Sequence, residues 1–300
     1  MMEKNSRDMN MEHNTPSSKD SGGLSKRKKR VLIVCPHPDD GEVLAQQLIV
    51  HSLKCGYEVI ELLATCDEYG TTRDDFKGRR IQRIRRAEMR AAAKAYGVDE
   101  NKKPLVKLAW MNYIDIHVPF NKHSVSRLKD FILRVKPDII IGPDPFLEFD
   151  GHPDHINTGL NYYFALKKIA KQDRPKLMLF FQTTKPDFFL PVISTDIIQK
   201  ARSMHRSQFT PLMIKVMKYM SVVFSLINAP KTGAKLVQGY RRVSFRNEDH
   251  SLKGLQKLFY YILGKPGNEP TKLIPPTPKE LGLEVNADRT DEIEFDQYMF

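Results

Sequence analysis

Apolar and polar residues alternate along this chain in a way that changes abruptly at Arg30. Residues 1–29 are polar and poor in aromatics, too weakly hydrophobic to offset the entropy of ordering, and read as a disordered arm. Val31-Leu32-Ile33-Val34-Cys35 then forms an unbroken β-branched run, the pattern of a strand buried on both faces. The spacing after it predicts a helix over 42–55 closed by Gly56, a strand over 58–65, and a long Ala-rich helix over 79–96 closed by Gly97. Further strands are expected at 106–111, 138–141 and 177–182, with helices at 125–135, 157–171 and 196–206. Strands alternating with helices point to an α/β domain with a mostly parallel sheet covered on both faces. Beyond residue 194 the pattern loosens. Residues 211–229 are apolar with two lysines, and 266–300 begin Pro-rich and turn acidic, reading as a tail on the surface or disordered. The resulting division is an arm at 1–29, a single domain at 30–265 and a tail at 266–300.

Composition narrows the classes. Of 300 residues 41% are hydrophobic, ample for a sizeable core, and no apolar run is long enough for a membrane-spanning helix. The N-terminus lacks the apolar centre of a secretory signal and carries acids that a transit peptide avoids. Three cysteines without a C-x-x-C pair suggest neither disulfides nor a thiolate metal site, which fits a cytoplasmic protein. The net charge of +12 is partly the run Lys26 to Arg30; no nucleic-acid recognition motif accompanies it, so no specific nucleic-acid partner is expected. The 211–229 stretch could lie on a bilayer surface. Packing on the core or an oligomer contact is favoured, because the stretch is short and ends at Pro230.

Two short clusters carry the chemistry, each at a predicted strand end, where ligands of parallel sheets bind. They are His37-Pro38-Asp39-Asp40 and His152-Pro153-Asp154-His155. Each sets two polar side chains three residues apart, so both point the same way where loop becomes helix, and Pro38 and Pro153 fix the backbone there. A single His-Asp pair at a strand end is usually a helix cap. Two such clusters together supply more. His37, Asp40 and His155 make a two-imidazole, one-carboxylate site suited to Zn2+, with Fe2+ the alternative. Asp39 lies beside a ligand and can act as base toward a bound water. A protonated His152 can stabilise an oxyanion, and Asp154 can orient a neighbouring imidazole.

These residues resemble the LmbE-like family of N-acetylglucosaminyl de-N-acetylases, which carry P/A-H-P-D-D after the first strand and H-P-D-H later in the chain. Pro36 to Asp40 and His152 to His155 match literally, and weaker similarity covers roughly 30–245. The resemblance implies a Rossmann-like three-layer fold, zinc on His37, Asp40 and His155, Asp39 as general base and His152 as oxyanion stabiliser. It also implies substrate contacts from Arg86, in an Arg-rich helix, and from Asp115, at a strand end. His205-Arg206-Ser207-Gln208 is similar to a recurrent H-x-S-Q segment, where a packing role for His205 is expected. Two features depart from the family: Ala45-Gln46-Gln47 replaces a glycine-rich turn, and Asp150 stands where some members have tyrosine.

The expected activity is hydrolysis of the N-acetyl group of an amino sugar or its conjugate, a small-molecule substrate, by a protein compatible with a homo-oligomer. The rivals are an iron oxygenase with a two-His, one-carboxylate triad and a non-catalytic basic binding protein on the same fold. The motifs touch the acetamide alone, so specificity is assigned to 65–77, 146–150 and the C-terminal third.

Overall fold

A computed structural model of the protein describes residues 27–146, 151–228, 232–233, 235–246, 276–284 and 291–297. The expectations for residues 1–26, Asp150 and most of the tail lie outside them. Five parallel strands form the centre: β1 (Arg30–Cys35), β2 (Glu58–Thr65), β3 (Val106–Tyr113), β4 (Ile139–Pro143) and β5 (Leu177–Phe181). Three antiparallel strands extend them: β6 (Phe188–Pro191), β7 (Val237–Arg242) and β8 (Glu294–Phe295), in the order β6-β7-β5-β4-β1-β2-β3-β8.

The period-2 alternation of β1 divides the core. Val31, Ile33 and Cys35 face one layer with Leu48, Ile49, Met89 and Ala92; Leu32 and Val34 face the other with Leu128, Phe131, Tyr162 and Leu166. The first layer is built from α2 (Gln46–Lys54), α3 (Arg79–Ala95) and α6 (Thr195–Arg202), the second from α4 (Lys122–Val135) and α5 (Pro153–Lys168). The result is the three-layer, mostly parallel α/β architecture that the sequence predicts.

The helix expected over 42–55 is broken. α1 (Asp40–Leu44) ends at Ala45 and α2 restarts beside it. The first free N–H groups of α2 are taken by β7: Gln47 N–H donates to Gln238 Oε1 at 3.0 Å and Leu48 N–H to Tyr240 Oη at 3.2 Å. Gln46 Oε1 accepts from Arg202, and Gln47 Oε1 accepts from Ile193 N–H. The glutamines standing in place of a glycine-rich turn therefore join this helix break to the C-terminal third. In the acidic tail, β8 pairs with β3, and buried Asp296 accepts from Arg90 Nε and Trp110 Nε1, each at 2.9 Å. α7 (Pro211–Asn228) packs along β7.

Candidate active site

The strand order explains why two motifs 118 positions apart meet. From β1 the sheet runs through β2 and β3 to one side and through β4 and β5 to the other, so the order reverses between β1 and β4. The loops leaving these two strands flank one crevice at their carboxyl ends, the place where such sheets bind ligands.

In the first loop, His37 and Asp40 are buried. His37 N–H donates to Asp40 Oδ2 at 2.8 Å, fixing the carboxylate beside the imidazole. Asp39 has φ 121°, a conformation that costs a non-glycine residue on the order of 1–3 kcal/mol. Arg85, wholly buried on α3, holds it there. Its Nη2 lies 3.0 Å from Asp39 Oδ2 and donates to Pro38 O, and its Nε lies 2.7 Å from Asp67 Oδ2 in the loop after β2. Burial outweighs this arginine: it pushes the carboxyls of Asp39 and Asp67 up to about 6 each. Asp40 goes the other way. Burial would raise it, but the charge of His155 and the hydrogen bond from His37 hold it down at about 2.

In the second loop, His152 caps α5, its Nδ1 accepting from Asp154 N–H at 3.3 Å, and Pro153 occupies the first helical turn. His155 Nε2 lies 3.2 Å from His37 Nδ1 and 3.7 Å from Asp40 Oδ2, while its Nδ1 faces Gln182 Oε1 at 3.3 Å. Asp154 is fully buried. It accepts from Ile116 N–H at 2.7 Å and Val118 N–H at 3.1 Å, and its Oδ2 lies 3.3 Å from His37 Nε2. Asp154 thus stands within hydrogen-bond reach of an imidazole, that of the other loop.

Three groups of donors surround His37. His37, Asp40 and His155 present Nδ1, Oδ2 and Nε2 at separations of 3.2, 3.6 and 3.7 Å. His37, His152 and His155 offer ring nitrogens within 4.8 Å of one another, as do His37, Asp67 and Asp115 their ligand atoms. A candidate metal site is therefore present, centred on His37.

His152 departs from expectation in its proton. Burial first, then the charges of His37 and His155, lower its pKa. With Nδ1 accepting from backbone, the neutral ring carries its proton on Nε2 and still has a donor to offer. The two residues assigned to substrate sit differently from the sequence-based picture. Asp115 is buried behind His37, with Oδ1 3.2 Å from His37 Nε2 and Oδ2 accepting from Tyr69 N–H at 3.0 Å. Arg86 lies over the Trp110 ring at 4.5 Å and donates to Cys66 Sγ and Asn112 Oδ1. Both are held by the protein itself, Asp115 by the loop after β2 and Arg86 by α3 packing against β3.

Sequence reasoning missed Arg85, Asp67 and Glu68. The signal for Arg85 was available: with Ile81, Met89 and Ala92 it follows the 3.6 period, so it lies on the buried stripe of α3 where Arg86 does not. Glu68 accepts from Asp115 N–H and Gln82 Nε2, and burial pushes its carboxyl up to about 7. The H-x-S-Q segment is structural. His205 is fully buried with Nε2 3.5 Å from Glu42 Oε2, Ser207 bonds Glu88 on α3, and Gln208 donates to Gly70 O.

The family model described as GlcNAc-PI de-N-acetylase, PIG-L, matches residues 32–166. A diacetylchitobiose deacetylase of Thermococcus kodakarensis is 26% identical over 231 residues, spanning 72% of this chain and 83% of that protein. A probable N-acetyl-α-D-glucosaminyl L-malate deacetylase 2 of Bacillus subtilis is 28% identical over 153 residues, 50% of this chain and 66% of its own. The solved structure of N,N'-diacetylchitobiose deacetylase from Pyrococcus horikoshii superposes with a TM-score of 0.62 at 26% identity, covering 72% of this chain and 84% of that one. The residues that match the PIG-L model thus include both motifs at the switch point of the sheet, and in that region this chain is similar to the GlcNAc-PI de-N-acetylases.

Proposed function

We propose that this protein hydrolyses the N-acetyl group of an amino sugar or its conjugate, releasing acetate and a free amine, with a divalent cation held by His37 Nδ1, Asp40 Oδ2 and His155 Nε2. The observation that carries the reading is the spacing of those three atoms. A tetrahedral ion with bonds of 2.0–2.1 Å needs ligand atoms about 3.4 Å apart, and these stand at 3.2, 3.6 and 3.7 Å. The remaining ring nitrogens support the same choice. His37 Nε2 faces Asp154 and Asp115, and His155 Nδ1 faces Gln182, so each imidazole has an outer partner that directs its lone pair to the shared point. The alternative grouping with Asp67 and Asp115 would draw on Asp67, which is already paired with the buried Arg85.

Zinc suits this donor set, and ferrous iron is the substitute. When bound, such an ion lowers the pKa of a coordinated water toward about 7 and polarises the amide carbonyl. Asp39, with its carboxyl near 6, takes a proton from the attacking water and returns it to the departing amine. Arg85, paired with Asp39, holds that carboxylate apart from the ligand set. His152 donates from Nε2 to the developing oxyanion as a neutral ring. Asp154 keeps His37 in the required tautomer. The relatives named for diacetylchitobiose and for an N-acetylglucosaminyl malate support an N-acetylated glucosamine as the substrate class.

The test is metal analysis of the purified protein together with acetate release from a panel of N-acetylated sugars. Acetate from at least one member, lost on chelation and restored by zinc, is the expected result. A metal-loaded protein that releases none rejects the reading, and oxygen uptake with iron bound would favour the oxygenase.

A further inference from the structure

Helix α7 is apolar on both sides. The side facing the body of the protein carries Ile214, Met217, Met220, Ser221 and Ser225, with Ser225 buried. The outward side carries Leu212, Val216, Tyr219, Val223 and Leu226, which are between 44% and 70% exposed. At the helical repeat these five residues form one continuous ridge along a helix of about 27 Å. Soluble helices bury such a ridge; here nothing among the described residues covers it, and a patch of this kind marks an interaction surface.

Charge identifies what the ridge fits. Lys215 and Lys218 are exposed on one flank of it, and the 18 residues of α7 include no acid. A second copy of the chain is disfavoured: a two-fold contact would bring both pairs of lysines together with no carboxylate from the helix to offset them, between molecules of net charge +12. The ridge is also convex, where a helix seated in a partner's groove needs a matching concavity. No described helix is long and apolar enough to cross a membrane. An apolar ridge flanked by lysines suits the boundary of a bilayer, with aliphatic side chains at the acyl edge and ammonium groups among phosphates. We infer that α7 docks the protein on an anionic lipid surface. The helix starts beside the catalytic crevice, since Gln208, three residues before it, donates to Gly70 O in the loop that carries Asp67. Docking through α7 therefore sets the rim of the site close to the headgroups.

Flotation of the full chain with two vesicle compositions tests this: phosphatidylcholine alone, and phosphatidylcholine with about 30% phosphatidylserine. The chain is expected to float with the anionic vesicles. Replacing Leu212, Val216 and Val223 together by Ser should lower the partition coefficient roughly tenfold or more, and Lys215→Gln with Lys218→Gln should lower it about tenfold on anionic vesicles. Neutralising Lys26 to Arg30 should leave α7-dependent flotation in place. As a check that does not depend on disruptive variants, Tyr219→Trp in the otherwise unchanged chain should shift its fluorescence to the blue when anionic vesicles are added. A parent chain that stays at the bottom of the gradient, serine variants that float as well as the parent, or an indole emission from the Tyr219→Trp chain that does not move would each overturn the inference. A dimer of the parent that dissociates in the serine variant would assign the ridge to self-contact instead.

Discussion

The loops after β1 and β4 carry nearly the same four residues and are built in opposite ways. In His37-Pro38-Asp39-Asp40 the third residue sits at φ 121°, pinned by Arg85, and burial pushes its carboxyl up to about 6. In His152-Pro153-Asp154-His155 the third residue lies inside the first turn of α5 and points down into the protein. Burial would raise Asp154 as well, yet the hydrogen bond and charge of His37 and the Val118 N–H hold it low. In the proposed reaction the first aspartate exchanges protons near neutrality, and its counterpart stays an anion beside the ring of His37. The surroundings of each carboxylate, and not the motif that contains it, decide which role it takes.

The sharpest way to test this contrast is to remove the two carboxylates separately. Asp39→Asn should lower acetate release roughly 10³-fold at saturating metal while leaving the metal content of the purified protein unchanged. If the metal is lost instead, Asp39 belongs to the ligand set. Next in size is Arg85→Met, which leaves Asp39 and Asp67 buried without their cation. Urea unfolding should show a loss of about 3–5 kcal/mol, and the acid limb of the pH–rate profile should move upward. Asp154→Asn should weaken metal binding about 10–100-fold, seen by competition with a chelator, and added metal should largely restore turnover. Full activity at trace metal would mean that His37 needs no such orientation.

The smallest effect expected is on stability against pH in the metal-free protein. Asp39, Asp67 and Glu68 keep their protons in the folded state to about 6, 6 and 7, well above where the unfolded chain releases them. The folded state therefore binds more protons between about pH 4 and 7, so stability falls as pH rises through that window. His37 adds to the trend: burial would lower it, but Asp115, Asp154 and Asp40 raise it, so its contribution is present below about 6.5 and lost above its folded value. His152, lowered by burial, opposes it as pH falls below about 6.5. Denaturant midpoints at pH 5 and pH 8 should differ in favour of pH 5, and a divalent cation should shrink the difference by favouring the deprotonated ligands.

Much of the parallel core was legible because its signals are local. The run 31–35 has five buried residues in a row, the strand over 58–65 was bounded correctly, and α3 ran within one residue of its predicted end. The helix break at Ala45 was not legible, because the groups that satisfy the α2 N-terminus come from Gln238 and Tyr240, more than 190 positions away. The short strands β6, β7 and β8 escaped for the same reason, since each is defined by the edge it pairs with. Arg85 was legible in principle from helical periodicity, but nothing in its neighbourhood announces that Asp39 and Asp67 converge on it.

By itself the sequence determined the alternation of strands and helices and the presence of ligand-type residues at two strand ends, since both follow from nearest-neighbour chemistry and the repeat of the backbone. The tertiary structure alone decided that the sheet order reverses between β1 and β4, which brings those ends to one crevice. It also decided which aspartate pairs with Arg85 and which face of α7 meets solvent. Those outcomes depend on pairings and burial between residues far apart in the chain, and such contacts have no local signature.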